Sequence, residues 1–430
     1  MRLSLKKTAW LLLLAMCVSL IAPAAASLAS GEKIKLTMVE SLTNPERTKV
    51  LREIADDYQA LHPNITIEII SPPLDGADQK IQQMLVNKND MDIFEVRDNT
   101  VAQFSSNGFI EPLDEYIKDW EDFGTLVDNA KITATLVGDK YYLIPYGFYQ
   151  RMLYYRADWL EEAGIAVPTT LSELYEAAKA ITDPAKGRYG WTLRGISGSA
   201  GLVGDMLRAK LGDKVVDLRD PAYDIDGNSI FLRPEAAEVF EYIQKLYQDT
   251  SPADSVAWGF QDQCQAFATG ITAFLFQDPE VVAICQTDMD EGTWATAPLP
   301  VDDVSSQFPI SVGYAGWGVP THSKHKEEAA DFIMFLSNPE NNVKFCLQYS
   351  VIPIHSNAAE LSDFFQSGPF APYVVENNSP ENYFLVVGKN RPEDKELGLT
   401  MDSEFVQVLT GDAEIEDILT SWADTYTAIH

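Results

Sequence analysis

Four oxygen-bearing side chains, Asp224, Asp226, Asn228 and Glu235, stand at relative positions 1, 3, 5 and 12 of one stretch, the spacing with which a short loop wraps calcium. Position six of such a loop turns sharply and takes Gly. Here it holds Ser229, and Gly227 falls two places early. Asp226-Gly227 more simply makes a tight turn before Pro234-Glu235 opens a helix, so no metal is expected. His322 and His325 bring two imidazoles to a Lys-rich turn without the further ligands a zinc site needs. Gly195-Ile196-Ser197 begins a nucleophile elbow, but position 199 is Ser rather than the closing Gly. No G-x-x-x-x-G-K-[ST] run occurs, so the chain is not expected to hydrolyse ATP. A secreted glycosidase would need two carboxylates about 5 to 10 Å apart. With 64 acidic residues such pairs arise by chance, and their presence distinguishes nothing.

The segments that must position any site begin after residue 26. Arg2, Lys6 and Lys7 precede an apolar run from Trp10 to Ala22, broken only by Ser19, and then Pro23-Ala24-Ala25-Ala26. A charged start, a short apolar core and an A-x-A site make residues 1–26 a secretory signal peptide. The run is shorter than the roughly 20 residues that span a bilayer. Leu14-Ala15-Met16-Cys17 approaches a lipid-attachment site, but Met stands where a small residue is usual. The net charge of −32 repels phosphate backbones and anionic lipid, so neither nucleic acid nor a membrane surface is an expected partner. Cys264, Cys285 and Cys346 show no C-x-x-C spacing; a Cys264–Cys285 disulfide and buried free thiols are both compatible with export.

A chain of 430 residues with 46% hydrophobic content can fill two cores. IKLTMVE reads as a strand, and Val50, Leu51, Ile54, Tyr58 and Leu61 recur at helical spacing after Asn44-Pro45. Ile65, Ile67 and Ile69 alternate as a strand, Ile81 to Val86 read as a helix, Met91 to Val96 as a strand and Val101 to Asn107 as a helix. This βαβαβ rhythm predicts a parallel, doubly wound sheet with ligands at the carboxyl ends of its strands. No internal repeat or low-complexity segment interrupts it.

From Gly138 to Ile181 a strand ends in Pro145-Tyr146, a second reads L-Y-Y-x-x-D-x-L from Leu153 to Leu160, and P-x-T-x-x-E-L runs from Pro168 to Leu174. His62 to Ile65, Met91 to Tyr116 and Pro298 to Phe345 supply further landmarks in a fixed order, with Val351 to Ala358 in place of an L-P-x-R-x-S element. The ordered set resembles the extracellular solute-binding proteins of ATP-binding-cassette importers, family 1, typified by maltose- and other sugar-binding receptors. The resemblance implies an α/β, two-lobed periplasmic-binding-protein-like fold of class II, its discontinuous lobes joined by crossing strands. Residues 31–145 would begin lobe 1, 146–300 lobe 2, 301–337 would return to lobe 1, and 338–430 would finish lobe 2. The crossings are expected at Tyr141 to Pro145 and near Ala295 to Pro300.

The resemblance also implies a monomer without cofactor, in the periplasm or on the outer face of the cell membrane. Its cleft would hold a small carbohydrate and hand it to a transmembrane permease. A sugar needs rings for its C–H faces and charged or amide groups for its hydroxyls. Tyr146 and Tyr149 follow the first crossing; Tyr149 stands where many relatives carry Asp, while Arg151 keeps the family's Arg. Arg194 in GWTLRG resembles an A-L-R-G of sugar and polyol binders, and its planar fork can hold two oxygens. Trp317 matches the second Trp of G-G-W-G-W. Ala315 replaces the first, with Tyr314 next to it on the opposite strand face. Glu280 stands where the maltose-binding branch has Trp, with Gln277 and Asp278 as polar alternatives, and His355 replaces the family's Arg. Glu40, Asp98 and Asn99 lie at strand carboxyl ends, and Trp258 precedes the Asp262 helix. For any one aromatic, core packing is the competing role.

Overall fold

The computed structural model describes residues 32–74, 76–196, 198–214, 222–302, 308–377, 383–386 and 391–429. The signal segment and Cys17 lie outside them. Strands β1 (Ile34–Val39), β2 (Ile65–Ile70) and β3 (Ile93–Arg97) form the expected parallel trio, β1 pairing β2 from Ile34↔Ile65 and β3 from Met38↔Ile93. The helix Pro45–Leu61 links the first two because Asn44 caps it, its side chain accepting from Glu46 N at 2.9 Å and Arg47 N at 3.3 Å. Val50, Leu51, Ile54 and Tyr58 then fall on one buried face.

Among the described residues, seven further strands complete two sheets: β4 (Ile144–Gln150), β5 (Met152–Arg156), β6 (Tyr189–Trp191), β7 (Thr272–Gln277), β8 (Trp294–Ala297), β9 (Phe308–Gly318) and β10 (Tyr383–Val386). The first sheet has the order β10-β9-β3-β1-β2, with β4 also antiparallel on β9; the second has the order β6-β7-β5-β8. Two mixed sheets with flanking helices make the two-lobed α/β fold that the landmarks implied.

The passages between sheets fall later than expected. The register Ile144↔Trp317 through Gln150↔Val312 keeps Tyr146 to Gln150 in the first sheet, so the chain changes sheet at Arg151 rather than by Pro145. On the return, Trp294–Ala297 still pairs β5, and the first sheet resumes at Phe308. Nor does everything after residue 338 join the second lobe. The helix Pro339–Tyr349 buries Val343, Phe345 and Cys346 in the core that holds Ile54, Phe94 and Phe332. The apolar stripe of that helix matches the first lobe's surface, and burial follows the stripe rather than chain order.

A second core gathers Leu174, Trp191, Leu207, Phe240, Phe274, Phe405 and Trp422. Alternation along β7 sends Phe274 and Phe276 into it and Leu275 to the opposite face, into the first. The P-x-T-x-x-E-L landmark has a physical cause: Thr170 and Glu173 form a capping box that starts the helix Leu171–Ile181, a feature stabilising by about 1 kcal/mol.

Two other expectations are resolved here. Asp224 accepts from Asp226 N and Asn228 N, both at 2.9 Å, and from Arg233, which makes it the anchor of a turn rather than a calcium ligand. Cys264, Cys285 and Cys346 are buried free thiols.

Candidate ligand-binding site

Glu40 does stand at the carboxyl end of β1, as expected, but within a closed interior network. The Arg47 guanidinium pairs with Glu40 at 2.5 Å and Glu95 at 2.6 Å, all three fully out of water. Glu40 also accepts from Thr48 Oγ1, and Glu95 from Ser41 N at 2.6 Å and Leu42 N at 2.9 Å. The rings of Tyr146, Trp317, Phe345 and Tyr349 surround Arg47, each with its centroid 5.1–5.4 Å from the guanidinium carbon. Tyr146 donates its hydroxyl to Glu95 Oε1 at 2.5 Å. A cation buried this way needs both carboxylates and the ring faces to offset its lost hydration.

That cage consumes three residues the sequence had assigned to a cleft. Glu40 and Tyr146 are buried, and Trp317 is 0% exposed, so none offers a surface to a ligand. Gln277 is likewise committed, its amide donating to Gln263 Oε1 at 2.9 Å and accepting from Asp278 N at 2.9 Å. His355 is 3% exposed, with Nδ1 2.7 Å from Thr125 Oγ1 and Nε2 2.6 Å from Ser337 O. Burial pushes its pKa down, so it pins its segment as a neutral ring. Tyr314 is buried too, on the strand face opposite Trp317, with its hydroxyl lacking a partner among the described residues; burial, then Asp98, hold that phenol protonated.

The remaining candidates are more open to solvent or lie at strand ends. Tyr149 is half-buried at the end of β4, its hydroxyl 2.7 Å from that of Tyr146 and its ring edge-on to Tyr349. Arg151, at the change of sheet, is also half-buried and donates to Asp205 Oδ2 at 2.7 Å. Burial works against its charge, and Asp205, Asp278 and Asp402 together more than restore it. Arg194 is half-buried in the loop after β6, its guanidinium 5.9 Å from the Phe260 centroid and its Nε donating to Ile196 O at 3.1 Å. Burial first, and then the like charge of Arg151, lower its pKa.

Backbone geometry ties Arg194 to Trp258. The Trp258 carbonyl accepts from Gly195 N at 3.0 Å and Ile196 N at 3.2 Å, and the indole beside them is half-buried. Gly195 makes this approach possible, because a Cβ there would lie 1.8 Å from Val256 O. Asp402, from the helix Asp394–Thr410, holds the far end of the loop by accepting from Gly198 N at 2.6 Å and Ala200 N at 2.9 Å. Asp278 is half-exposed at the end of β7, and Asp98 and Asn99 end β3 opposite; Asn99 Oδ1 is buried without a partner among the described residues.

Arg97, Tyr349, Asp402 and the Glu280 carboxyl are the residues that spacing did not assign to the cleft. Arg97 ends β3 and donates to Asp78 Oδ2 at 3.2 Å; Lys395 of the helix Asp394–Thr410 reaches the same oxygen from the other lobe at 3.9 Å. Burial, then the neighbouring Asp278, push the Glu280 carboxyl up to about 8, against the opposing pull of Arg194 and Arg97. A strand-end position could have flagged Arg97, as it flagged Asp98. No metal-ligating group of three His, Cys, Asp or Glu occurs among the described residues.

Two mixed sheets with flanking helices are the architecture of the periplasmic-binding type. Residues 44–343 match the family described as bacterial extracellular solute-binding protein, and the chain belongs to that family. It is 25% identical over 292 residues to a lactose-binding protein of Rhizobium radiobacter, covering 66% of each chain. A mannitol-binding protein of Pseudomonas aeruginosa is 21% identical over 397 residues, 86% of this chain and 87% of that one. Among solved structures, a solute-binding protein of Thermotoga lettingae bound to α-D-tagatose superposes with a TM-score of 0.79 at 19% identity, covering 92% of this chain and 98% of that one. Family membership makes the protein extracytoplasmic and a binding protein, and sets aside the glycosidase alternative. No described helix is long and apolar enough to cross a membrane.

Proposed function

We propose that the protein closes its two lobes on a neutral carbohydrate, a sugar, oligosaccharide or polyol, and passes it unaltered to the permease of an ATP-binding-cassette importer. Residues 1–26 would direct its export. The observation that carries the ligand class is the Arg194–Trp258 unit: a half-buried Trp whose carbonyl fixes the two residues after Arg194, and a half-buried guanidinium whose terminal nitrogens have no partner among the described residues. An indole face takes sugar C–H groups, and the guanidinium fork takes two hydroxyls.

Charge balance supports a neutral guest. Arg97 and Arg151 are already matched by Asp78 and Asp205, and Asp278 faces Arg194. The ligands named for the relatives, lactose, mannitol and tagatose, are all uncharged polyols or sugars. Closure would turn about Arg151, where the chain changes sheet, a ligand favouring the closed state by its differential affinity.

Calorimetry of the mature chain against lactose, maltose, D-mannitol and D-tagatose tests this, with chromogenic glycosides assayed in parallel. At least one of the four is expected to bind with micromolar affinity, about −8 kcal/mol, and no glycoside to be cleaved. Silence across the four, or release of chromophore, would sink the proposal.

A further inference from the structure

We infer that Glu280 is a further specificity-determining residue of the cleft, donating a hydrogen bond from a protonated carboxyl to a ligand oxygen and tying lobe closure to the uptake of one proton. The inference rests on the receptor reading above. It starts from position: Glu280 follows the central strand β7 and immediately precedes the helix Val281–Asp288, at the carboxyl end where the second lobe faces the first. Its Oε2 is buried and has no partner among the described residues. A buried oxygen in that state is costly unless something supplied later completes it.

The groups around it come from both lobes. From its own lobe stand Asp278, Arg194 and, on the helix Phe260–Ala268, Cys264. Across the cleft stand Arg97 at the end of β3, Tyr149 on β4 and Tyr349 on the helix Pro339–Tyr349. Tyr154 on β5 and Tyr373 on the helix Ala371–Asn377 complete the surroundings. The phenols and the thiol are held neutral by burial, leaving two guanidinium groups against Asp278. Arg97 is already shared with Asp78.

Burial therefore decides the outcome, and the carboxyl keeps its proton to about pH 8. A protonated carboxyl has one donor as well as acceptor capacity, which a carboxylate lacks. With the lobes apart the same group is wet and returns toward the ordinary range near 4.3. The closed state thus has the raised pKa. It binds the extra proton, is favoured below about pH 8, and loses that advantage as pH rises through that value.

The test is calorimetry of wild type, Glu280→Gln and Glu280→Ala with whichever of lactose, maltose, D-mannitol or D-tagatose binds, at pH 5.5, 7 and 8.5 in buffers of differing ionisation enthalpy. Wild type should take up close to one proton per ligand at pH 7, its affinity falling about tenfold or more between pH 5.5 and 8.5. Glu280→Gln retains a donor and should bind with no such slope, while Glu280→Ala should bind at least tenfold more weakly than wild type at pH 5.5. An unchanged slope in Glu280→Gln, or wild-type affinity in Glu280→Ala, overturns the inference. If none of the four sugars binds, the receptor proposal fails first. Infrared difference spectra of the unliganded protein then judge the proton linkage separately: a carboxylic-acid carbonyl band present at pH 7 and lost in Glu280→Gln shows the proton already bound before closure and refutes it, and the absence of that band, expected of the wet carboxylate of the open state, supports it.

Discussion

Trp317 illustrates how one side chain is decided by its neighbours rather than by its motif. Its ring lies 5.3 Å from that of Tyr146 and beneath the Arg47 guanidinium, with no exposed surface. Its replacement by Ala is therefore a core truncation, expected to cost about 3–5 kcal/mol of stability. Urea denaturation should show this as a lowered midpoint, while the folded fraction still binds at near wild-type affinity. A large loss of affinity at unchanged stability would return Trp317 to the cleft. The same logic separates Tyr146 from Tyr149. Three residues apart on a strand with a bulge between Pro145 and Gly147, one donates inward to Glu95 and the other carries the hydroxyl chain to the cleft wall.

At the level of elements, the loop after β6 is the device that aims Arg194. It is held at one end by Asp402 and at the other by the contact of Gly195 with the strand of backbone from Val256 to Trp258. Gly195→Ala forces a methyl into the Val256 carbonyl, so the loop must move while both cores stay intact. Affinity is expected to fall at least tenfold, with a melting temperature within a few degrees of wild type. Unaltered binding would show that the loop does not aim a ligand contact. The helix Leu171–Ile181, by contrast, carries its landmark sequence for its own sake: the Thr170–Glu173 box starts it, and no ligand is needed to explain those residues.

At the scale of the whole molecule, the proposed mechanism is the approach of the two lobes. Lys395 and Asp78 already meet across the lobes, next to Arg97, so ligand and ion pair pull the same way. Such a pair, each side chain less than a fifth exposed, is only partly screened by salt. Small-angle scattering should record a smaller radius of gyration on addition of a bound sugar. No compaction with a sugar that calorimetry shows to bind would remove hinge closure from the mechanism. The net charge of −32 keeps the surface solvated and leaves recognition to the cleft.

Sequence by itself determined the family, the βαβαβ start, the capped helices and the ordered landmarks, because these depend on residues near one another along the chain. It also offers Tyr149, Arg151, Arg194, Trp258, Asp278, Asp98 and Asn99 as cleft residues, an assignment for binding experiments to test. Tertiary structure alone decided which polar and aromatic groups were spent inside. Arg47 meets Glu95 across 48 positions, Tyr146 meets Glu95 across 51, and His355 meets Thr125 across 230. The charge state of Glu280 belongs to the same class. Burial and the field of Arg97, Arg194 and Asp278 set it, and those groups share a dielectric environment only once both lobes are folded and facing each other.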